Sequence, residues 1–315
     1  MDRIVTDAAE AQAETQSGIS PQLLRGPRVP LPGPDDDVRP TMGLTHSEQR
    51  YLQGEKLPVT SSVLISSSKY LNNPYYREAY ATQALRRHGA DLPTTYMVPQ
   101  MIRAIEETTD IDRIAELIAA EKKINPTFGV WVDERRFTVF TPDNTHGYAE
   151  GTLGRAIYDF VNIPGMDIEF LSREKGEVTS DLEYIIKRRV SLHDIDHMIT
   201  GFGPNTAGEC ALGMIIVMSE ARYFTPELAQ WLSGQYVWIT STGYNRTAVH
   251  YHHALPTYLD AMQMGINVGK ALEKPLFLFQ WEDFFDWNLN DIAIHLGFTR
   301  SSGDAWAWTD GATQG

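Results

Sequence analysis

Beyond about residue 57, hydrophobic residues recur mostly at intervals of three and four, which is the spacing of one face of an α-helix. No internal repeat organises this pattern. The sequence therefore predicts a mainly α fold, a single multi-helix, bundle-like domain. We expect helices over residues 75–87, in two stretches within 99–124, and over 152–161, 181–200, 206–223, 254–272 and 283–296, with a further short helix opening at Thr225-Pro226.

One segment, residues 129–140, breaks the helical spacing. Val130 and Val132 alternate with other residues, a polar run follows, and Phe137 and Val139 then alternate again. Alternation with a period of two is typical of half-buried β-strands. We therefore expect one short β-hairpin here, within an otherwise helical protein.

The start of the chain follows neither period. Six prolines lie between Pro21 and Pro40, with three consecutive aspartates among them, a composition typical of extended linkers. We expect residues 1–45 to form a disordered leader, residues 46–300 to form the helical domain, and residues 301–315 to form a C-terminal tail.

Composition narrows the function classes. The 315 residues carry 27 Lys and Arg against 41 Asp and Glu, a formal charge of −14, which disfavours nucleic-acid partners and docking on anionic lipid by charge alone. The single cysteine, Cys210, excludes a disulfide within the chain, a zinc finger and an iron–sulfur cluster. It also fits a reducing compartment.

The first residues and the longest apolar run bear on location. The start of the chain lacks the positive residues and apolar stretch of a secretory signal. The longest nearly apolar run, Cys210 to Met218, is about half of the roughly 20 residues that a membrane span needs. We expect the protein in the cytoplasm, or peripherally on the cytoplasmic face of a membrane, and not secreted.

The candidate chemistry begins with His193, Asp194 and His197. Each step along a helix turns about 100°, so His197 lies about 40° from His193 and Asp194 about 100° from it, within one sector of the surface. Two imidazoles with a carboxylate suit zinc, and suit iron(II) or manganese nearly as well. Asp196 falls on the other side of His193 and cannot easily share a metal with Asp194. One of the two aspartates is therefore expected to support the site or to face solvent.

Glu209 opens the following helix, and its same-face neighbours Leu212, Gly213 and Ile216 indicate that this face is buried. A carboxylate at the head of a buried stripe needs a partner, which a metal on the preceding antiparallel helix would supply. Thr206 and Glu209 also form a capping-box pattern, in which Glu209 would only bind the start of its helix. Paired histidines occur by chance as well, so the residues alone leave both interpretations open.

The spacing His193-Asp194-x-x-His197, followed by eleven residues and Glu209, resembles the zinc motif of the coenzyme Q (ubiquinone) biosynthesis protein 4 family. Upstream, Gly151-Thr152-Leu153-Gly154-x-x-x-Tyr158 resembles the glycine-rich helix start of those proteins. The resemblance implies a mostly helical fold and a divalent metal held by all four motif residues, with zinc expected before iron or manganese.

The resemblance extends over residues 57–298 and implies a function. It implies an apolar groove for isoprenoid tails and oxidative decarboxylation at ring carbon 1, in which a hydroxyl replaces a carboxylate. The implied partners are a polyprenyl quinone precursor and other quinone-biosynthesis enzymes, at the surface of a membrane, and we also expect a homo-oligomer. The alternative is a non-catalytic, lipid-binding scaffold that organises those enzymes around a structural metal.

One departure from the family concerns the residues before the first histidine. The family usually has an Arg and a Glu three and two residues before it, where this chain has Val190 and Ser191. Arg189 lies one turn before His193 on the same helix face and could hold a substrate carboxylate. We therefore predict Arg189 and Asp194 as catalytic residues. The alternative for Arg189 is an ion pair with an acidic residue.

Other chemistry-bearing residues receive structural interpretations. The histidines at 250, 252 and 253 are predicted to be structural or solvated, because adjacent helical positions point apart. Cys210 is predicted to fill the core. The apolar stretch that follows it fits a bundle core, with the lining of a lipid channel as the alternative. A zincin-like hydrolase is a third function class, although Asp194 is shorter than the glutamate of its motif.

Overall fold

The computed structural model describes residues 68–87, 98–163, 178–302 and 306–309, so the predicted leader lies outside the described residues. Within these ranges the protein is helical and contains no β-strand, which confirms the mainly α prediction. Two 3₁₀ segments lie at Leu276–Leu278 and Trp281–Phe284. The α-helices are α1 (Lys69–Asn72), α2 (Pro74–Leu85), α3 (Val98–Thr108), α4 (Ile111–Ile124), α5 (Pro126–Glu134), α6 (Pro142–Thr145), α7 (Leu153–Val161), α8 (Asp181–Thr200), α9 (Thr206–Tyr223), α10 (Pro226–His250), α11 (Leu255–Ala271) and α12 (Leu289–His295).

The chain divides into two compact units after Asn72. Helix α1 belongs to the first unit, and all helices from α2 onward belong to the second. None of the described helices is both long enough and apolar enough to cross a membrane.

Helix α9 packs against α10 and α11 and supplies much of the core of the second unit. Glycines on α11 allow this close approach: a Cβ atom at Gly265 would lie 2.1 Å from the carbonyl oxygen of Ala211, and one at Gly269 would lie 2.8 Å from that of Ile215. Cys210 is buried at the start of this run, as predicted. The apolar stretch of α9 is therefore used for helix packing.

Helix α8 has the bounds that the sequence predicts. The Ser180 side chain accepts a hydrogen bond from the backbone N–H of Glu183 at 3.1 Å, and Gly201 ends the helix with φ +70°. The buried Arg188 guanidinium donates to Glu282 at 2.9 Å and to the carbonyl oxygen of Phe279 at 3.1 Å. Arg188 therefore ties α8 to the second 3₁₀ segment.

The β-hairpin predicted at 129–140 is wrong, because α5 occupies its first half. Asn125 caps this helix by accepting a hydrogen bond from the backbone N–H of Phe128, and a proline occupies the first helical position. Phe128, Trp131 and Val132 are all buried at helical spacing. Packing of that face, together with the cap, outweighs the local alternation of the two valines.

Two further predictions need correction. The helix that opens at Thr225-Pro226 is not short, since α10 runs for 25 residues with buried side chains along its length. The helix predicted over 283–296 begins later, at Leu289, where Asn288 accepts a hydrogen bond from the backbone N–H of Asn290. The 3₁₀ segment before it buries Trp281 in the core.

The last described residues pack against the turn after α8. The backbone N–H of Ser301 donates to the carbonyl oxygen of Thr200 at 2.9 Å. The rings of Trp306 and Phe202 stack with their centroids 5.4 Å apart. These contacts hold the turn between α8 and α9 from outside.

Candidate metal centre

The end of α8 and the start of α9 form the candidate site. The connection is short because Gly201 stops α8 and Asn205 caps α9, accepting a hydrogen bond from the backbone N–H of Gly208 at 2.9 Å. A Cβ atom at Gly208 would lie 2.0 Å from the carbonyl oxygen of Gly203, so the turn folds tightly onto α9. Side chains at the two adjoining helix ends can therefore converge.

Three of the predicted site residues meet here. The Nε2 atoms of His193 and His197 lie 3.2 Å apart, and the carboxylate oxygens of Glu209 lie 3.4 Å from the first and 3.2 Å from the second. One ligand atom from each residue falls within 4.8 Å of the others. Asn205 and not Thr206 caps α9, and the Glu209 carboxylate contacts the two histidines, so the capping-box alternative is not realised.

The spacing of these atoms fits a metal ion. Bonds of about 2.0–2.1 Å in a tetrahedral arrangement place neighbouring ligand atoms about 3.3 Å apart, close to the 3.2 Å between the two Nε2 atoms. Glu209 presents a different carboxylate oxygen to each histidine, at 3.4 and 3.2 Å. Two imidazoles and one carboxylate form a donor set that zinc and iron(II) both accept. The three side chains could hold such an ion and would leave at least one coordination position for another ligand.

The orientation of His197 is fixed by its other nitrogen. Its Nδ1 lies 2.7 Å from the carbonyl oxygen of Phe202, which can only accept a hydrogen bond. The proton therefore sits on Nδ1, which leaves the Nε2 lone pair available to a metal ion bound between His193 and Glu209. A carbonyl or carboxylate behind the coordinating ring is typical of histidine metal ligands. The Nδ1 atom of His193 is also buried, but it has no hydrogen-bond partner.

The contacts within the centre shift the pKa values of Glu209 and His193 in opposite directions. Burial alone would raise the pKa of Glu209, but hydrogen bonds with His193 and His197 outweigh burial and hold that pKa below its ordinary value. Burial alone would lower the pKa of His193, but Glu209 and Asp194 raise it above its ordinary value. A positive charge is therefore favoured between the three side chains, and a metal ion would compete with a proton for this place.

Asp194, the fourth predicted ligand, is not among the three side chains that converge. It is half-buried on α8, and its charge contributes to the raised pKa of His193. The structure therefore brings together His193, His197 and Glu209, with Asp194 beside them.

Arg189 is engaged with another carboxylate. Its guanidinium donates to Glu220, which is fully buried, and to the carbonyl oxygen of Leu232 at 2.8 Å. Ser233 donates to the second Glu220 oxygen at 3.0 Å. The ion-pair alternative is therefore the one that the structure shows. Glu220 lies eleven residues after Glu209 on the same helix, about 20° from it, so the sequence contained a signal for this residue.

Sequence reasoning also missed the surroundings of Asp196. This aspartate is 4% exposed, and burial raises its pKa to about 7, against the lowering effects of His193, His197 and Trp281. It lines a small cavity that has room for about one water molecule. The ring of Tyr236, which also lines the cavity, stacks on His193 with the centroids 6.2 Å apart.

His250 takes no part in this centre. Its Nε2 lies 2.6 Å from the carbonyl oxygen of Leu85, at the end of α2. The histidine therefore caps a helix end, which agrees with the structural role predicted for it.

Comparisons with known proteins agree with the fold and with the family that the sequence resembles. The crystal structure of a candidate ubiquinone biosynthesis protein from Nostoc punctiforme PCC 73102 matches with a TM-score of 0.51 and 21% identity, over 71% of this chain and 94% of that one. At that identity the likeness shows a shared fold.

No curated protein matches in sequence. A family model matches residues 132–302, more than half of the chain and the whole candidate centre. The chain therefore belongs to the coenzyme Q (ubiquinone) biosynthesis protein Coq4 family.

Proposed function

We propose that this protein is a metal-dependent enzyme of ubiquinone biosynthesis that removes the carboxylate from ring carbon 1 of a prenylated hydroxybenzoate and leaves a hydroxyl in its place. Membership of the Coq4 family supports the pathway. The observation that carries the proposal is the meeting of His193, His197 and Glu209 at ligand spacing. The Glu209 side chain is 35% exposed, so a substrate can reach the centre from outside.

The protein groups have separate tasks in this proposal. His193, His197 and Glu209 hold a divalent ion, for which zinc is our first candidate and iron or manganese the others. The ion would stabilise negative charge on the substrate carboxylate or phenolate as carbon dioxide leaves. Asp194, beside the histidines, is the proposed fourth ligand or proton acceptor. Dioxygen is the proposed oxidant: one of its atoms becomes the hydroxyl and the other leaves as water. The carbon–carbon bond that breaks supplies two electrons, and an external two-electron reductant supplies the other two.

One observation favours the second candidate, a non-catalytic scaffold with a structural metal. Arg189 was predicted to hold the substrate carboxylate, but its guanidinium is bound to Glu220 and Leu232. A scaffold needs no such residue at its metal. In either function we propose that the partners are a polyprenyl quinone precursor and other quinone-biosynthesis enzymes, that the protein forms a homo-oligomer, and that it works in the cytoplasm or at the cytoplasmic face of a membrane.

The experiment combines metal analysis with the profile of quinone precursors. The full-length protein is purified without chelators as wild type, His193→Ala and, as the control, His252→Ala, which changes an exposed histidine outside the centre. We expect about one metal ion per wild-type or control chain and a large loss in His193→Ala. Cells that depend on His193→Ala should accumulate the carboxylated precursor.

Three outcomes decide between the candidates. A wild-type protein without metal would refute the centre. A folded, metal-free His193→Ala protein that still supports normal quinone synthesis would refute the enzyme and leave the scaffold. Loss of metal together with accumulation of the carboxylated precursor would support the enzyme.

A further inference from the structure

Three buried polar atoms next to the candidate centre have no hydrogen-bond partner. They are Nδ1 of His193, Oδ1 of Asp196 and Nε1 of the Trp281 indole. Two of them are hydrogen-bond donors when protonated, and the third is an acceptor. Buried polar atoms in folded proteins are nearly always hydrogen-bonded. Unmatched donors and an unmatched acceptor in one region can be satisfied together by a bridging water or a small movement of a side chain.

Helix geometry places Asp196 beside His193. The aspartate follows the histidine by three residues on α8, and side chains on a helix lean towards its N-terminus. The Asp196 carboxylate is therefore directed back over the turn that carries His193. The Trp281 indole N–H also lies near this carboxylate and lowers its pKa. Both unmatched donors are therefore close to the Asp196 carboxylate.

The small cavity beside Asp196 has room for a bridging water molecule. Asp196 and Tyr236 line it, and the Tyr236 ring stacks on the His193 imidazole at an interplanar angle of 28°. A water molecule in this cavity could bond to the free oxygen of Asp196 while remaining next to the His193 ring.

We propose that Asp196 is a positioning residue for the metal ligand His193: its carboxylate accepts the Nδ1 proton of the imidazole, directly or through the one water that the cavity can hold. The proton is then kept on Nδ1, and the Nε2 lone pair faces His197 and Glu209. Phe202 does the same for His197 through its carbonyl oxygen. This role rests on the proposed metal function, since it concerns how firmly the centre holds its ion.

The test measures metal affinity and the state of one proton in the full-length protein. Asp196→Leu removes the acceptor at similar size, and Asp196→Asn keeps a weaker acceptor in case the leucine variant does not fold. We expect the Kd for Zn²⁺ to rise by about 10- to 100-fold in the leucine variant and by less in the asparagine variant. Trp281→Phe removes the other donor to Asp196 and should leave the Kd nearly unchanged.

Nuclear magnetic resonance of ¹⁵N-histidine-labelled, Zn²⁺-loaded protein supplies the second readout. The Nδ1 proton of His193 should give a downfield signal in the wild type that shifts or disappears in both Asp196 variants. The Nδ1 proton of His197, bound to Phe202, is the internal reference and should not change.

The outcomes separate this inference from the proposed function. Wild-type Zn²⁺ affinity and an unchanged His193 signal in the Asp196 variants would overturn the role of Asp196 while leaving the centre intact. So would an equal loss of affinity in Trp281→Phe, or a loss of affinity with an unmoved His193 signal. A wild-type protein that binds no Zn²⁺ would instead refute the centre itself.

Discussion

The imidazole of His197 and the carbonyl oxygen of Phe202 are joined by a hydrogen bond of 2.7 Å across the turn that ends α8. The turn therefore does more than connect two helices, because the backbone that reverses the chain also selects the tautomer of a candidate ligand. The geometry of the centre is encoded partly in side chains and partly in the path of the main chain.

Replacing Glu209 by glutamine should remove most of the metal affinity. The variant retains the size of the side chain but loses the negative charge that faces both histidines. We expect the Kd for Zn²⁺ to rise by more than the roughly 100-fold upper limit for supporting residues. Competition with a chromogenic chelator measures the change, and an affinity within threefold of wild type would contradict the assignment.

In the metal-free protein, Asp181 should make stability depend on acid pH. Burial alone would raise the pKa of Asp181, but ion pairs with Lys122 and Arg135, each at 2.8 Å, hold that pKa below its ordinary value. The stabilisation is therefore present above the unfolded-state pKa of about 4 and is lost as pH falls through the lower folded-state value.

The variant Asp181→Asn tests this dependence by chemical denaturation. It should lower the free energy of unfolding by about 0.5–1 kcal/mol at pH 7, with the difference shrinking towards pH 3. Asp112→Asn, which changes an exposed aspartate in the first turn of α4, controls for the charge at a helix end. A difference between Asp181→Asn and wild type that stays constant with pH would contradict the explanation.

Replacing Glu282 should leave the buried guanidinium of Arg188 without its ion-pair partner. Arg188 is 1% exposed in its side chain and pairs with Glu282, whose side chain is 14% exposed. We expect Glu282→Gln to lower the free energy of unfolding by about 2–3 kcal/mol, somewhat below the range for fully buried pairs. The double variant Arg188→Met, Glu282→Gln should recover part of this loss. A cost below about 0.5 kcal/mol in the single variant would count against a tightly coupled pair.

Two glycine-to-alanine variants should change stability in opposite directions. At Gly265 a Cβ atom would lie 2.1 Å from the carbonyl oxygen of Ala211, so α9 and α11 must separate, at a cost of about 1–3 kcal/mol. At Gly234, inside α10, a Cβ atom meets nothing within 4 Å. Alanine there should stabilise the protein by up to about 1 kcal/mol. Thermal unfolding of both variants measures the two changes in stability. Equal changes in the two variants would contradict the prediction.

Cys210 should be inert in the folded protein. Burial raises the pKa of its thiol to about 12, so little thiolate exists at neutral pH. We expect alkylation by iodoacetamide at pH 8 to be at least about 100-fold slower than in the unfolded chain. Rapid labelling of the native protein, followed by mass spectrometry, would show that the start of α9 opens readily.

The sequence predicts those features of the fold that depend on interactions between residues close together in the chain. The bounds of α8 follow from Ser180 and Gly201, which act within one turn of the helix. The hairpin prediction failed because the two valines of its first half lie in α5, where tertiary packing decides which face is buried. Helix caps and turn residues can be predicted from the sequence. The choice between a helical and a strand-like hydrophobic pattern in a short segment cannot, because it depends on tertiary packing.

The same distinction applies to the centre. His193, His197 and Glu209 could be grouped from spacing because a short turn joins their helices. The sequence places Glu220 on the same face of α9 as Glu209, but its pairing with Arg189 could not be predicted, since that depends on the register of α8 against α9. The lack of a direct hydrogen-bond partner for Oδ1 of Asp196 is likewise a property of packing, and no local pattern signals it.

The stacking of Trp306 on Phe202 has a practical consequence for handling the protein. A protease cut or a bulky fusion close after residue 302 would loosen the ring that backs the turn, and with it the carbonyl that orients His197. Metal retention would then report on the integrity of the far end of the described chain. Preparations that differ only in C-terminal tags should be compared for metal content before any difference in activity is attributed to the centre itself.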